Sequence, residues 1–225
     1  MTRIFDIVLS GAALLLLSPV LIPLGIALLF TGEGEIFFKQ ARVGRGAADF
    51  HLYKFATMLK DSPSMGTGTI TLKNDPRVLP LGRLLRKTKI NELPQLINIF
   101  LGDMSIIGPR PQTRRCFDAF PKRSQQKIIK VRPGLSGIGS IVFRDEEEMM
   151  HDSDDPNRLY DEVIMPYKGL LEEWFVQHSS IFVYLTCIWL TALVVFLPSS
   201  RAIWRVFPDL PAPPEAMAKY VKWSR

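Results

Sequence analysis

The chain has 225 residues, with 28 Lys and Arg against 22 Asp and Glu, a formal net charge of +6. This length suits one domain with appendages, and 47% hydrophobic residues is high for a soluble protein of this size. The two distant cysteines and three scattered histidines exclude a disulfide framework and a zinc site, and no P-loop or dinucleotide fingerprint is present.

The first predicted element is an apolar segment near the N-terminus. No residue from Ile7 to Phe30 is charged, and these 24 residues as a helix reach about 36 Å, enough for a hydrocarbon core of about 30 Å. Ser18 and Pro19 lie at its middle, which predicts a break. Basic residues flank both ends of the segment, so the positive-inside rule does not indicate which end would lie across the membrane from the cytoplasm. We therefore predict a re-entrant hairpin rather than a span or a signal peptide, since no Ala-x-Ala cleavage site follows.

Strands and a helix are predicted next. Residues 36–58 alternate apolar and polar side chains in short runs, as strands do. Further along, the stretch Arg86 to Pro111 reads RKTKINELPQLINIFLGDMSIIGPRP. Its leucines, isoleucines and Phe100 recur at helical spacing, and Pro94 fits only a first helical turn. The pattern predicts a helix that begins near Asn91, with Asn91 as its N-cap.

The same stretch predicts an anion site. A helix N-terminus offers unpaired backbone N–H groups, and Arg86 arrives just before it. Arg110 lies between two prolines that restrict the backbone, an arrangement that suits a diphosphate. Taken singly, each signal also fits a plain N-cap, a first-turn acid or a turn. Together these signals favour a site that binds phosphate.

Charge is arranged in two blocks. Residues 73–135 hold 14 Lys and Arg against 4 Asp and Glu, and residues 145–173 hold 11 acidic against 2 basic residues. The basic block would attract anionic lipid headgroups or a nucleotide diphosphate. We expect no nucleic acid partner, because aromatic residues for base stacking are scarce there. The acidic sequence DEEEMMHDSDD is expected to form a solvated loop or a face opposite the basic block.

A second uncharged run, His178 to Ser200, lies near the C-terminus. All four tryptophans fall in the last 52 residues, around and within this run, as expected at a membrane interface. Whether the run spans the membrane or lies on it stays open at this point. Residues 176–200 are therefore taken as a second membrane-associated segment, and residues 201–225 as a C-terminal tail.

The stretch from Arg86 to Pro111 resembles the catalytic core of the bacterial sugar transferases, the monotopic polyprenyl-phosphate phosphoglycosyl transferases. In that family an Asp-Glu pair precedes Leu-Pro-Gln, and Gly-Asp-Met-Ser and Pro-Arg-Pro follow. Here Asn91 stands in place of the nucleophilic aspartate, ahead of Glu92. The sequence KFATM resembles the family's Lys-Phe-Arg-Thr-Met, with Lys54 kept and Ala56 in place of the arginine. The resemblance runs from about Arg3 to Gly137.

The resemblance implies a membrane-anchored α/β fold. A re-entrant helix-break-helix anchor with its break at Ser18-Pro19 would occupy residues 1–35, and a small catalytic domain with amphipathic or interfacial helices would occupy residues 36–175. The implied reaction transfers sugar-1-phosphate from a UDP-sugar to undecaprenyl phosphate at the cytoplasmic face of the bacterial inner membrane. It would initiate exopolysaccharide, O-antigen or glycoconjugate assembly. Membrane lipid is a further partner, and a homodimer is one possible assembly.

The resemblance also implies roles for individual residues. Catalysis falls on Asn91 and Glu92, and Glu92 would bind Mg²⁺, which bridges carboxylate and diphosphate. The residues expected to contact phosphate or nucleotide are Lys54, Arg86, Asp103 and Arg110. An amide is a poor nucleophile, which leaves three solutions: attack by Glu92, direct attack by the lipid phosphate, or loss of catalysis.

Two other functions stay open at this level. A catalytically silent homologue would keep the fold and serve as a binding or scaffolding partner in a glycan assembly complex. A basic module that binds anionic lipid at the membrane surface would need only the anchor and the basic block.

Overall fold

The fold combines helices with two small sheets. The computed structural model describes residues 2–66, 75–144, 146, 149, 155–218 and 220–223. The helices are α1 (Thr2–Leu29), α2 (Pro80–Lys87), α3 (Gln95–Leu101), α4 (Arg114–Asp118), α5 (Lys122–Ile128), α6 (Ile138–Val142), α7 (Pro156–Leu159), α8 (Met165–Gln177), α9 (Ile181–Phe196) and α10 (Ala202–Val206). The strands are β1 (Phe37–Val43), β2 (Asp49–Phe55), β3 (Ser105–Ile107) and β4 (Gly134–Ser136).

The N-terminal helix α1 is long and apolar enough to cross a membrane by length and composition. The helix continues through Ser18 and Pro19, so the predicted break is not confirmed. Pro19 has no N–H for the carbonyl of Leu15, four residues earlier, and the hydroxyl of Ser18 donates to that carbonyl instead, at 2.8 Å. The side-chain hydroxyl thus replaces the hydrogen bond that proline removes.

One side of α1 packs along the rest of the protein. Near its start, Asp6 is 1% exposed and accepts hydrogen bonds from Ser105 Oγ, Ile106 N and Tyr184 Oη at 2.9, 2.9 and 2.7 Å. Near its end, Leu28 is buried with Phe55 and Leu85. The other side exposes large apolar side chains, among them Ile4, Val8, Leu15, Leu16, Val20 and Ile22. Both ends of α1 therefore touch the same globular body.

The predicted strands in residues 36–58 are confirmed as an antiparallel hairpin of β1 and β2, in which Phe38 pairs with Lys54. The predicted N-cap is wrong: α3 begins at Gln95, and Asn91 lies inside a separate 3₁₀ turn, Ile90–Glu92. The amides of Leu96 and Ile97 bond to carbonyls three residues back, so tight turns connect the two elements. Pro94 lies just ahead of α3, where its missing N–H costs no helical hydrogen bond.

The parallel pair β3 and β4 brings the Pro-Arg-Pro segment, residues 109–111, beside the glycine-containing residues 134–137. In this pair Ser105 lies opposite Gly134 and Ile107 opposite Ser136. A Cβ at Gly134 would lie 2.1 Å from the amide nitrogen of Gly108, and one at Gly137 would lie 2.2 Å from the carbonyl oxygen of Gly108. Any larger residue would push the two segments apart. These glycines have a packing role.

The main core lies in the C-terminal half. Helix α8 supplies Met165, Tyr167 and Leu171, and α9 buries one face made of Val183, Tyr184, Cys187, Leu190 and Val194. The segment predicted as a tail also enters this core, since Trp204, Met217 and Val221 are buried. Of the acidic sequence DEEEMMHDSDD, residues 145, 147, 148, 150 and 151–154 lie outside the described part of the chain.

Candidate active site

Three charged side chains meet at one carboxylate. Glu92, from the 3₁₀ turn before α3, places Oε1 3.2 Å from Nζ of Lys54 and 2.5 Å from the guanidinium of Arg110. Lys54 comes from β2, and Arg110 from the segment after β3. Spacing alone does not predict these contacts, because the paired residues are 38 and 18 positions apart in the chain. We call Lys54, Glu92 and Arg110 the Glu92 cluster.

The Glu92 cluster is partly open to solvent. The side chains of Lys54, Glu92 and Arg110 are 19%, 15% and 30% exposed, so a ligand can reach them. Burial alone would raise the pKa of Glu92, but Arg110 and Lys54 outweigh it and hold that pKa well below its usual range. Burial lowers the pKa of Lys54 to about 8, with Glu92 opposing the shift. Glu92 is therefore a carboxylate at neutral pH.

The backbone around Arg110 is held by neighbouring segments. The carbonyl of Pro109 accepts from the Gly134 amide at 2.8 Å, and the Arg110 guanidinium donates to the carbonyl of Leu135 at 3.3 Å. The carbonyl of Pro111 accepts from the Arg42 guanidinium at 3.1 Å. The predicted stiffness of this segment thus rests on hydrogen bonds as well as on the two prolines.

Arg42 is a residue near the site for which the sequence predicted no role beyond the basic charge that follows the apolar segment. It also donates to Oε1 of Gln40 at 2.6 Å. Burial, followed by repulsion from Arg110, lowers its pKa to about 10. Strand alternation gives a signal for it: Phe38 faces Lys54 across the hairpin, so Gln40 and Arg42 share the face of Lys54.

Asn91 precedes Glu92 and is 4% exposed. Its Oδ1 is buried and has no hydrogen-bond partner among the described residues. A buried acceptor without a donor costs on the order of 1–3 kcal/mol. Asn91 is thus buried next to Glu92 in the chain, with its amide oxygen unsatisfied.

The structure does not gather all the predicted phosphate contacts. Arg86 lies in the last turn of α2, with its guanidinium 3.6 Å from Sδ of Met58. Asp103 is exposed at the far end of α3, where its carboxylate accepts from Nδ2 of Asn98 at 3.2 Å. Among the described contacts, neither side chain joins the Glu92 cluster, and their roles stay predictions.

The oxygen donors fit Mg²⁺ only together with a diphosphate. Within the described ranges no group of three His, Cys, Asp or Glu is placed to hold a metal. Glu92 supplies one carboxylate, whereas the Oδ1 of Asn91 is unpartnered but buried away from solvent. Mg²⁺ commonly takes one or two protein oxygens and completes its shell with phosphate and water. The positive charge of Lys54 and Arg110 opposes a bare cation but is offset by a diphosphate.

Comparison with known proteins agrees with the motif. The sequence profile described as bacterial sugar transferase matches residues 1–198. An exopolysaccharide production protein, PSS, of Rhizobium leguminosarum bv. phaseoli is 41% identical over 146 residues, covering 62% of this chain and 72% of the relative. A UDP-N-acetylgalactosamine-undecaprenyl-phosphate N-acetylgalactosaminephosphotransferase of Aeromonas hydrophila is 37% identical, covering 62% of this chain and 33% of the relative.

A UDP-glucose:undecaprenyl-phosphate glucose-1-phosphate transferase of Escherichia coli (strain K12) is 38% identical, covering 62% of this chain and 30% of the relative. The chain thus spans about a third of these two transferases and most of the Rhizobium protein. The family profile covers most of the chain, including helix α1 and every residue of the Glu92 cluster. The chain belongs to the bacterial sugar transferase family.

Proposed function

We propose that the protein transfers sugar-1-phosphate from a UDP-sugar to undecaprenyl phosphate and releases UMP. The observation that carries the proposal is the Glu92 cluster: an ionised carboxylate in contact with two cations that are open to a ligand. The names of the relatives support this substrate pair. Both substrates carry phosphate, and Lys54 and Arg110 are the groups suited to bind it.

The proposed role of Lys54 and Arg110 is to bind the diphosphate of the UDP-sugar in place of part of their contact with Glu92. In the free protein they contact Glu92, and a diphosphate would take over part of this contact. The phosphorus attached to the sugar would then lie beside the Glu92 carboxylate. Attack by a Glu92 oxygen forms an O–P bond and breaks the P–O bond to UMP, which leaves with the bonding pair. Undecaprenyl phosphate would then displace Glu92 and take the sugar-phosphate.

The assay of this function uses the full chain in lipid nanodiscs with undecaprenyl phosphate, Mg²⁺ and a panel of UDP-sugars. We expect UMP release with at least one sugar. Arg110→Ala should lower kcat/KM by roughly tenfold or more, because a charge-assisted contact contributes about 1.5–3 kcal/mol. Arg114→Ala is the matched control, since Arg114 is exposed and pairs with Asp49. Wild-type turnover in Arg110→Ala would place Arg110 outside the site, and no UMP with any sugar would favour a silent homologue.

We further propose that in the membrane α1 kinks at Pro19, where proline removes a helical hydrogen bond, and so enters one leaflet of the cytoplasmic membrane and returns to the same face. Contacts at both of its ends support this course, because Asp6 and Leu28 pack against the same globular body. A straight span would carry one end about 30 Å away across the hydrocarbon core. The exposed apolar side of α1 would face lipid, with the catalytic domain on the cytoplasmic side.

Helix α9 is proposed to lie against the same leaflet without spanning it. Its 16 residues reach about 24 Å, short of the hydrocarbon core. Its inner face is fixed to the protein by Tyr184, which donates to Asp6, and by Thr191, which bonds to Ser136 at 2.8 Å. Its outer face exposes Phe182, Trp189 and Phe196. The two helices would thus meet lipid side by side.

Cysteine labelling tests the topology. Single cysteines at Thr2 and Ala48, in a variant whose buried native cysteines are replaced, should both react with an impermeant maleimide only from the cytoplasmic side. Leu16→Cys is the internal control: Leu16 is 80% exposed on the protein, so its protection in membranes would come from lipid. Labelling of the two end positions from opposite sides would show a span and remove the re-entrant proposal.

A further inference from the structure

Asn98 of α3 is fully buried, and its side-chain amide bonds to the edge of β2 that faces away from β1. Its Oδ1 accepts from the Tyr53 amide at 3.0 Å, and its Nδ2 donates to the carbonyl of His51 at 2.8 Å. In the described part of the chain this sheet has two strands, so no third strand pairs with that edge. The amide of Asn98 therefore supplies the acceptor and the donor that a neighbouring strand would supply.

These two hydrogen bonds lie just before Lys54 in β2. Leu52, between the two bonded residues, is 2% exposed and belongs to the same apolar cluster as Leu96 and Ile99 of α3. Side chains two positions apart on a strand point to the same face, so Lys54 leaves β2 on the face that Leu52 buries against α3. Its ammonium reaches Glu92, in the turn before α3, at 3.2 Å. Strand β2 is thus attached to α3 along its edge and its face, next to the ion pair.

The position of Asn98 is itself fixed at the end of α3. Its carbonyl accepts from the amides of Gly102 and Asp103, each at 3.0 Å, and its Nδ2 also donates to the Asp103 carboxylate at 3.2 Å. Both hydrogens of Nδ2 and the side-chain oxygen are therefore used. An aspartate at this position would have no hydrogen for the His51 carbonyl and would face the acid of Asp103, so an amide is the group that fits.

We propose that Asn98 is a positioning residue for Lys54: its side-chain amide holds the end of β2 against α3, so that the ammonium of Lys54 stays at the Glu92 carboxylate. The side chain of Lys54 is 19% exposed, so its packed stem cannot swing freely to compensate for a shift of β2. A shift of the strand would separate the two charges or open them to water. The role in turnover rests on the proposed function, whereas the contact between Lys54 and Glu92 does not.

The titration of Lys54 tests the proposal without an activity assay. Burial lowers the pKa of Lys54 to about 8, although Glu92 raises it. In Asn98→Ala the end of β2 loses both bonds, and we expect Lys54 to reach water and its pKa to rise by about one pH unit or more, towards the value of a free lysine. Competitive acetylation over a range of pH, followed by peptide mass spectrometry, measures this pKa for the full chain in nanodiscs of lipids without amino groups. An unchanged pKa of Lys54 in a folded variant would overturn the proposal.

Two further variants separate positioning from a general loosening of the packing. Ile99→Val is the matched control, because Ile99 is fully buried at the next position of α3 and the change removes one carbon from the same apolar cluster without touching the amide. We expect the pKa of Lys54 to stay at about 8 in Ile99→Val, and a rise equal to that in Asn98→Ala would refute a specific role. Asn98→Ser is the milder replacement if Asn98→Ala does not fold. Its hydroxyl is neutral but too short to bond both peptide groups, so the pKa should rise there as well, and an unchanged value would count against the proposal.

A double-mutant cycle on UMP release tests the effect on turnover. Asn98→Ala should lower kcat/KM roughly tenfold in the wild-type background and have little further effect in Lys54→Ala, because both changes remove the same contact. Equal losses in both backgrounds would mean that Asn98 supports the fold and does not act through Lys54. If no UDP-sugar gives UMP with the wild-type protein, the proposed function fails, and the titration of Lys54 still decides the role of Asn98.

Discussion

Glu92→Gln is expected to abolish UMP release, by roughly 10³-fold or more, while the protein still binds UDP. The carboxylate is the group in the Glu92 cluster that can attack phosphorus, and an amide oxygen cannot replace it. Binding should persist or tighten, because the substitution removes a negative charge beside Lys54 and Arg110, where the diphosphate is proposed to bind. Loss of turnover without loss of binding would separate the chemical step from substrate capture.

The adduct gives a direct measurement of this step. Protein incubated with the active UDP-sugar and Mg²⁺, without lipid, should release about one equivalent of UMP and gain the mass of a sugar-phosphate on the peptide that contains Glu92. Asp49→Asn is the control, since that exposed carboxylate pairs with Arg114 on the surface. UMP that appears only with undecaprenyl phosphate, and no adduct, would exclude double displacement and favour direct attack by the lipid.

The motif order predicted the members of the site better than it predicted their geometry. Lys54, Glu92 and Arg110 were all selected from the sequence, and the structure brings them into contact. Asn91 was placed at a helix N-terminus because Pro94 marks a first turn, but the chain makes a 3₁₀ turn before α3 begins. Local signals do not distinguish these two arrangements, since neither of them requires a backbone N–H at Pro94.

Contacts between distant parts of the chain could not be predicted from the sequence. The sequence predicted a solvated loop or an opposing face for DEEEMMHDSDD but nothing for the two acids that end the same block, Glu172 and Glu173, which are buried in α8. The partners of Glu173, Ser124 and Lys127, are 49 and 46 residues away in sequence. Asp6 joins Ser105 and Tyr184 in the same way. Composition describes the charge of a segment, whereas burial depends on which segments pack against it.

Asn91 offers the complementary test, because aspartate and asparagine have nearly the same shape. The Oδ1 of Asn91 has no donor to lose, so an isosteric carboxylate can replace the amide without breaking a described hydrogen bond at that oxygen. Lys54 and Arg110 lie at the neighbouring Glu92 and favour a second negative charge nearby. Asn98→Asp is the matched control: Asn98 is fully buried, and its Nδ2 donates to the carbonyl of His51. That bond is lost in a carboxylate, at a cost on the order of 1–3 kcal/mol.

Asn91→Asp is therefore expected to fold and to carry a sugar-phosphate adduct on residue 91, with lipid-independent UMP release at least roughly tenfold faster than in the unsubstituted chain. The adduct should persist when Glu92→Gln is added, because the attacking oxygen then belongs to residue 91. Asn98→Asp should give no new adduct. Peptide mass spectrometry after a short incubation with UDP-sugar and Mg²⁺ measures each case. A folded Asn91→Asp variant without an adduct at residue 91 would mean that this position does not face the reacting phosphorus, and that any attack at this site starts from Glu92 or from the lipid phosphate.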